Sequence, residues 1–474
     1  VFALSHDDLL RIAHAAAVHW DNLLPSDLWP PLGFWVVRLA WMVFPSVQAT
    51  PAGVNLVAST VALGLAGVLT RRIGGGVRAA CATVVVLAVL PWWTWLGCSA
   101  LAEPLSTALV LAGIAASLVH LAPETEAAGR DRAVLGAALA YALAGMVRYE
   151  AWAAAALHAM TCLAPVRRAL GATSLPRPIA LAALGIPLVF PIAWMTLETV
   201  WNGNPLFFAT MARENLVGDP GVAATPWHAP LDVLRAGGVV AVVGLVAAWR
   251  GRKDASPAVR ALAWAGMLGL GLQIVAQLGA LAGTHNTPRH HVGWMPILAV
   301  LAVRAAAASL ATLPRGAQRG AIALSVPLLL APWLAATDVP DAVPPEVARM
   351  AARVRTVRAG GTLGNARRVM LEAAPWECFA LQIALAEDHA DLSDIRWDRD
   401  PFVALGASET LADRMEHPSL LAAPPDEVAA DLRDDGVGLL VTATPRGREL
   451  AGRVGIASGS AGDWTLWRVG QLER

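Results

Sequence analysis

Near the start of the chain stands His6-Asp7-Asp8-Leu9-Leu10-Arg11, and Trp29-Pro30-Pro31-Leu32-Gly33-Phe34-Trp35 follows it. Adjacent carboxylates repel each other and resist desolvation, so such a pair beside an apolar segment needs a reason. One reason is chemical: a carboxylate within hydrogen-bond reach of an alcohol takes its proton as the oxygen attacks an electrophilic carbon. Another is local structure, with Asp7 capping a helix and Asp8 complementing its dipole. Both hold together if the capped helix keeps its acid rigid. Two neighbouring acids could also bind Mg²⁺ or Mn²⁺.

A second acid, Glu103, follows Gly97-Cys98-Ser99-Ala100-Leu101-Ala102 at the start of an apolar run. An ionisable group at that position points to function, while Pro104 and a first-turn acid also suit an ordinary helix start. Cations that could hold an anionic head group are Arg11, Arg148, Arg213 and the group His285, Arg289, His290 and His291. Arg148 is followed by Glu150, so a local ion pair is the plainer reading there. The four cysteines, at 81, 98, 162 and 378, have no zinc-type spacing.

The elements that must position these residues are membrane helices. Of the 474 residues 56% are hydrophobic and only 15% charged, too few charges to cover a soluble surface of that size. Formal net charge is zero, which removes the global basic field expected of a nucleic-acid binder. Nineteen tryptophans stand against two tyrosines, and Trp92, Trp93, Trp95, Trp194, Trp201, Trp294 and Trp333 fall near the ends of apolar runs, as at a membrane boundary.

About ten spans are expected, at 51–70, 79–96, 102–119, 133–147, 150–165, 179–200, 235–249, 260–282, 293–312 and 319–336, some shorter than the roughly 20 residues that cross a bilayer. The stretch 133–165 also reads as a helical pair dipping in and out around Arg148-Tyr149-Glu150. Basic residues gather in alternate connections (Arg71, Arg72, Arg78; Arg130, Arg132; Arg167, Arg168, Arg177; Arg250, Arg252, Lys253, Arg260; Arg315, Arg319), which the positive-inside rule makes cytoplasmic. The loops bearing Asp7, Asp8, Arg148, Arg213 and Arg289 are then exoplasmic. The opening Val1-Phe2-Ala3-Leu4 reads as the tail of a preceding transmembrane helix. Residues 7–20 and 32–44 are expected to be interfacial amphipathic helices separated by Pro30-Pro31.

From 338 to 474 charge is denser and prolines break the chain. A helical pattern at 426–435, an apolar run at 436–442 and the alternation of Trp464-Thr465-Leu466-Trp467-Arg468-Val469 predict a small exoplasmic α/β domain after a membrane domain over 1–337.

The order Asp7-Asp8, Arg11, Pro30-Pro31-Leu32, Phe34-Trp35 resembles the GT-C superfamily of polytopic glycosyltransferases, and most of all glycosyltransferase family 39, the protein mannosyltransferases and bacterial aminoarabinose-transferase-like enzymes. Asp8 stands where that family most often has Glu, and Trp29 where the aminoarabinose-type enzymes often have Lys, which weakens a lipid A assignment. The motif covers about the first 35 residues; a looser likeness in span layout runs over the whole chain.

The resemblance implies a mainly α, GT-C-type bundle with an exoplasmic C-terminal α/β domain. It implies inverting transfer of a hexosyl or pentosyl group from a polyprenyl-phosphate donor to a protein, lipid or glycan acceptor outside the cytoplasm, in a bacterial inner membrane. Asp7 or Asp8 would be the base, with Glu103 a second catalytic acid. Arg11, Arg148, Arg213, Arg289 and His290 would hold the donor phosphate; members of the family generally work without a metal. A transporter or flippase is the alternative, but such proteins show repeats and mid-span ionisable groups rather than acids and cations gathered on one side.

Overall fold

The structure is a computed structural model. It describes residues 11–12, 14–16, 18, 20, 22–26, 29–122, 125–210, 228–254, 256–278, 289–335, 345–360, 368–372, 380–382, 384–385, 395–397 and 424–469. Two compact units divide the chain: Val1–Asp27, Phe34–Ala52 and Pro340–Arg474 in one, Leu28–Gly33 and Gly53–Val339 in the other.

The helices run in order α1 (Leu32–Trp41), α2 (Ala49–Arg72), α3 (Val77–Ala88), α4 (Pro91–Gly97), α5 (Glu103–Leu121), α6 (Ala127–Gly145), α7 (Glu150–Cys162) and α8 (Ala164–Leu170). They continue as α9 (Arg177–Asn202), α10 (His228–Gly251), α11 (Pro257–Leu278), α12 (Arg289–Val292), α13 (Met295–Ala311) and α14 (Arg315–Ala335). Five of them (α2, α5, α9, α10 and α11) are long and apolar enough to cross a membrane, or six spans if the pair α3–α4 counts as one. The chain is a multi-pass membrane protein.

Among the described residues that is fewer full-length spans than the ten or so expected from sequence, several of which are short, for particular reasons. The 79–96 run bends by 76° between α3 and α4, where Pro91 starts a new helix. The 133–147 run belongs to α6, whose first turns carry Arg130, Asp131 and Arg132. The 150–165 run is the 13-residue α7, which leads into α8 at Ala164-Pro165. Helix α1 occupies most of the expected interfacial segment 32–44.

Small residues let the helices approach. A Cβ at Gly113 of α5 would lie 2.8 Å from the Tyr141 ring of α6, so only glycine allows that close packing. Tyr141, Ala137, Ala138 and Ala144 of α6 are all buried. At Gly269 of α11 a Cβ would collide with the indole of Trp294, just ahead of α13. That vacancy seats Trp294, which matters for the site below.

The described C-terminal segments form a small α/β layer: α15 (Pro345–Ala359), β1 (Arg368–Glu372), β2 (Ile395–Trp397), α16 (Pro425–Asp434), β3 (Val437–Thr442), α17 (Pro445–Ala451), β4 (Gly455–Ala461) and β5 (Trp464–Val469). The strand order is β2-β1-β3-β5-β4, with β2, β1 and β3 parallel and β5 and β4 antiparallel. Every residue of β3 is buried, as expected of a central strand covered on both faces. Val428 and Leu432 of α16 and Leu450 of α17 pack with Met370, Val437 and Leu440.

Candidate functional site

Glu103 opens α5, with Pro104 in its first turn. The turn before it is pinned from α2, where the amide of buried Asn55 donates to the carbonyls of Ser99 at 2.7 Å and Leu101 at 2.6 Å. Arg148 and Glu150 sit in the tight connection from α6 to α7. The Val147 and Arg148 amides still bond back to Ala144, and the Leu32 amide donates to the Met146 carbonyl. Tyr149 stacks on Phe208 with 3.9 Å between ring centres, while Trp152 donates to the Gly145 carbonyl. The corner is therefore held from several directions, and its charged side chains are delivered at fixed places. Arg289 and His290 come from the one-turn helix α12.

These residues converge. Arg148 Nη1 lies 2.7 Å from Glu103 Oε1. The other side of the same guanidinium forks onto Glu150, with Nε 3.0 Å from Oε2 and Nη2 2.5 Å from Oε1. One arginine thus bridges two acids that lie on different helices. Arg289 Nε approaches Glu103 Oε1 at 3.8 Å. The side chains are largely removed from water, with exposures of 5% for Glu103 and 12% for Arg148. Charges so far removed from water persist only when paired, and among the described residues two guanidiniums face two carboxylates.

His290 completes the group. Its Nδ1 is 3.3 Å from Arg148 Nη2 and 3.6 Å from Glu150 Oε1. The ring therefore stands between the Arg148 guanidinium and the Glu150 carboxylate. Burial pushes the His290 pKa down, outweighing the carboxylate of Glu150, which acts to raise it. His291, fully buried next to it, is pushed down to about 3 by burial and by the neighbouring His290. Glu103, Ser106, Thr107, Arg148, Glu150, His290, Gly293 and Trp294 line a small cleft beside this cluster.

Of the residues singled out in sequence, the structure brings Glu103, Arg148, Arg289 and His290 together. Asp7, Asp8, Arg213 and His285 lie outside the described residues. Arg11 is helical and partly buried, in the other compact unit. The Mg²⁺ or Mn²⁺ reading rests on Asp7 and Asp8 and so also lies outside the described residues; among those described, no three His, Cys, Asp or Glu side chains converge on a metal position. Glu150, read from sequence only as the local partner of Arg148, proves to be a member of the site. Trp294 was read only as a boundary residue. The signal available for both was proximity in sequence to Arg148 and to His290.

Compared by sequence, the chain matches no family profile and no curated protein. Compared by structure, it resembles ArnT from Cupriavidus metallidurans bound to undecaprenyl phosphate, with a TM-score of 0.59 and 15% identity over 98% of this chain and 93% of that one. The chain has the GT-C fold. The same GT-C architecture relates it to the Archaeoglobus fulgidus oligosaccharyltransferase in complex with Zn and sulfate, with a TM-score of 0.51 and 13% identity over 94% of this chain and 65% of that one. In this chain the charged cluster is assembled from the start of α5, the α6–α7 corner and the one-turn helix α12, with Trp294 at the entry to α13.

Proposed function

We propose that the chain is a glycosyltransferase that moves a sugar from a polyprenyl-phosphate carrier to an alcohol acceptor on the exoplasmic side of a bacterial inner membrane, with inversion. The observation that carries this reading is the buried Glu103–Arg148–Glu150–Arg289–His290 cluster opening on a cleft within a GT-C fold. Support comes from the solved GT-C structures, one of them holding undecaprenyl phosphate. Arginines clustered in alternate connections support the orientation.

In this account the first loop supplies Asp7 or Asp8 as general base, which takes the acceptor proton as its oxygen attacks the anomeric carbon. The bond from that carbon to the phosphate oxygen breaks, and the polyprenyl phosphate leaves as an anion. Arg289, with Arg11 and Arg213, stabilises the phosphate as it departs. Arg148 is already forked onto two acids, so its role is to hold Glu103 and Glu150 in place. His290 serves on the same side as Arg148.

Asp7→Asn and Asp8→Asn, assayed separately with a radiolabelled polyprenyl-phosphate sugar, separate base from helper. Loss of the base should slow transfer by about 10²–10⁴-fold. Full activity in both single variants contradicts the assignment. Uptake of labelled lipid into proteoliposomes with no glycosylated product would instead support a flippase.

A further inference from the structure

Away from the Glu103–Arg148 cluster the bundle carries a second concentration of charge, and it is of one sign. Glu103 opens α5, and His120 in the last turn of the same helix bonds Arg167 at 3.1 Å, so the two places lie at opposite ends of α5. There three guanidiniums from three helices meet the turn that follows α8. Arg130 of α6 donates from Nη1 to the Thr173 hydroxyl at 2.6 Å, and Arg167 of α8 donates from Nε to the Thr173 carbonyl at 2.7 Å. Arg260 of α11 donates from Nη2 to the Leu170 carbonyl at 2.8 Å. Arg168 and Arg177 stand on either side of this turn in sequence, and both are exposed. Among the described residues none of the five arginines has a carboxylate within ion-pair distance. Asp131 adjoins Arg130 in sequence without pairing to it, and Asp254 is paired with Arg304 at 3.1 Å.

The positive-inside rule accounts for arginines at one end of a bundle, but not for three of them converging on a single turn. Arg167 is buried with all three nitrogens bonded inside the protein, so it contributes fixed charge behind the turn rather than a free donor. Burial lowers its pKa, and the charge of Arg130 acts the same way, the mark of like charges held together. Arg130 and Arg260 are partly exposed, and each keeps a terminal nitrogen, Nη2 and Nη1, without a hydrogen bond among the described residues. An anion with several acceptor oxygens relieves this repulsion and takes up those donors. Apolar side chains adjoin the cations: Met160 of α7, Leu163 just before α8, and Leu181 one helical turn beyond Arg177 on α9 are all exposed. An amphiphile answers both features at once. We propose that the turn after α8 binds the phosphate groups of an anionic phospholipid of the cardiolipin type, held by Arg130, Arg168, Arg177 and Arg260, with its acyl chains against Met160, Leu163 and Leu181. This does not rest on the transferase reading, and the opposite ends of α5 leave room for a donor lipid and this one together.

The experiment uses the full chain in detergent micelles, with fluorescently labelled cardiolipin followed by anisotropy and unlabelled lipids or inorganic phosphate added as competitors. Arg168→Gln with Arg177→Gln is the informative variant, because neither side chain makes a hydrogen bond among the described residues and the fold does not depend on them. Each arginine beside a lipid phosphate is worth about fivefold in affinity, so the double variant should bind cardiolipin about 25-fold more weakly. Arg315→Gln with Arg319→Gln, which removes two exposed arginines at the start of α14, should stay within about twofold of wild type. Unlabelled cardiolipin should displace the probe, and phosphatidylcholine should not. Unchanged affinity in the Arg168 and Arg177 variant overturns the site. Equal losses in both double variants overturn it too, since that result reports general surface charge. Displacement by inorganic phosphate as effective as by unlabelled cardiolipin overturns the lipid assignment in favour of a free phosphate.

Discussion

Two buried polar clusters join the same two helices, α5 and α7, at opposite ends. At one end Glu103 of α5 meets Glu150 of α7 through Arg148. At the other, seventeen residues and about 25 Å further along α5, His120 meets His158 and Arg167. Arg167 is 1% exposed and donates to the carbonyls of Thr173 and His120 and to the His120 ring, while His158 bonds Ser117. Arg167 is buried and Arg148 half-buried, both are multiply bonded, yet their partners differ in kind. Arg167 satisfies main-chain carbonyls and an imidazole, which closes the ends of α5 and α8. Arg148 instead pairs with two carboxylates that line a cleft. Burial and pairing alone thus do not tell the two clusters apart; the kind of partner and the adjoining open space do.

The sharpest way to break this comparison is to remove each arginine in turn. Arg148→Ala leaves Glu103 and Glu150 facing each other without their shared cation, and transfer should fall by about 10²-fold or more, beyond any loss of folded protein. Arg167→Ala should cost on the order of 3 kcal/mol of stability, through lost charge-assisted hydrogen bonds, with turnover per folded molecule within about twofold of wild type. Turnover by titrated folded enzyme, beside thermal melting, reads both. The reverse pattern would exchange the two roles.

A smaller effect follows from the histidines of α12. Burial holds His290 below its ordinary value and His291 at about 3, against 6.5 for an exposed ring. Above about pH 6.5 neither state takes up the proton and stability is insensitive to pH. Below it the unfolded chain is protonated while the folded chain is not, so stability falls by about 1.4 kcal/mol per pH unit for each such histidine until the folded pKa is reached. The melting temperature in detergent should therefore drop between pH 6.5 and pH 5, and His291→Gln should flatten part of that drop. A melting temperature that climbs as the pH is lowered would contradict the buried, neutral state.

How much of this was legible in the sequence depends on the range of the interactions involved. Helix α16, β3 and β5 were readable because a helical pattern, a short apolar run and a clean alternation are local signals. Strand β2 is three residues long and has no period to detect. Strand β1 owes its place to parallel pairing with β2 and β3. Glu103 stood out as an ionisable group at the start of a span, and Arg148 as an arginine outside the Arg-rich connections. That one would bridge to the other across 45 positions is tertiary information. So is the seat for Trp294, made by a missing side chain at Gly269 on another helix.

The central claim is that the Glu103–Arg289 end of the bundle is where a lipid-linked sugar reacts. A cryo-EM map of the full chain in nanodiscs with added undecaprenyl phosphate tests it most directly. The account predicts the lipid phosphate within hydrogen-bond distance of Arg289, just outside the cleft that Glu103 and Glu150 line. A phosphate seated instead by Arg167 at the other end of α5, or a map with no bound lipid at saturating concentration, would contradict it.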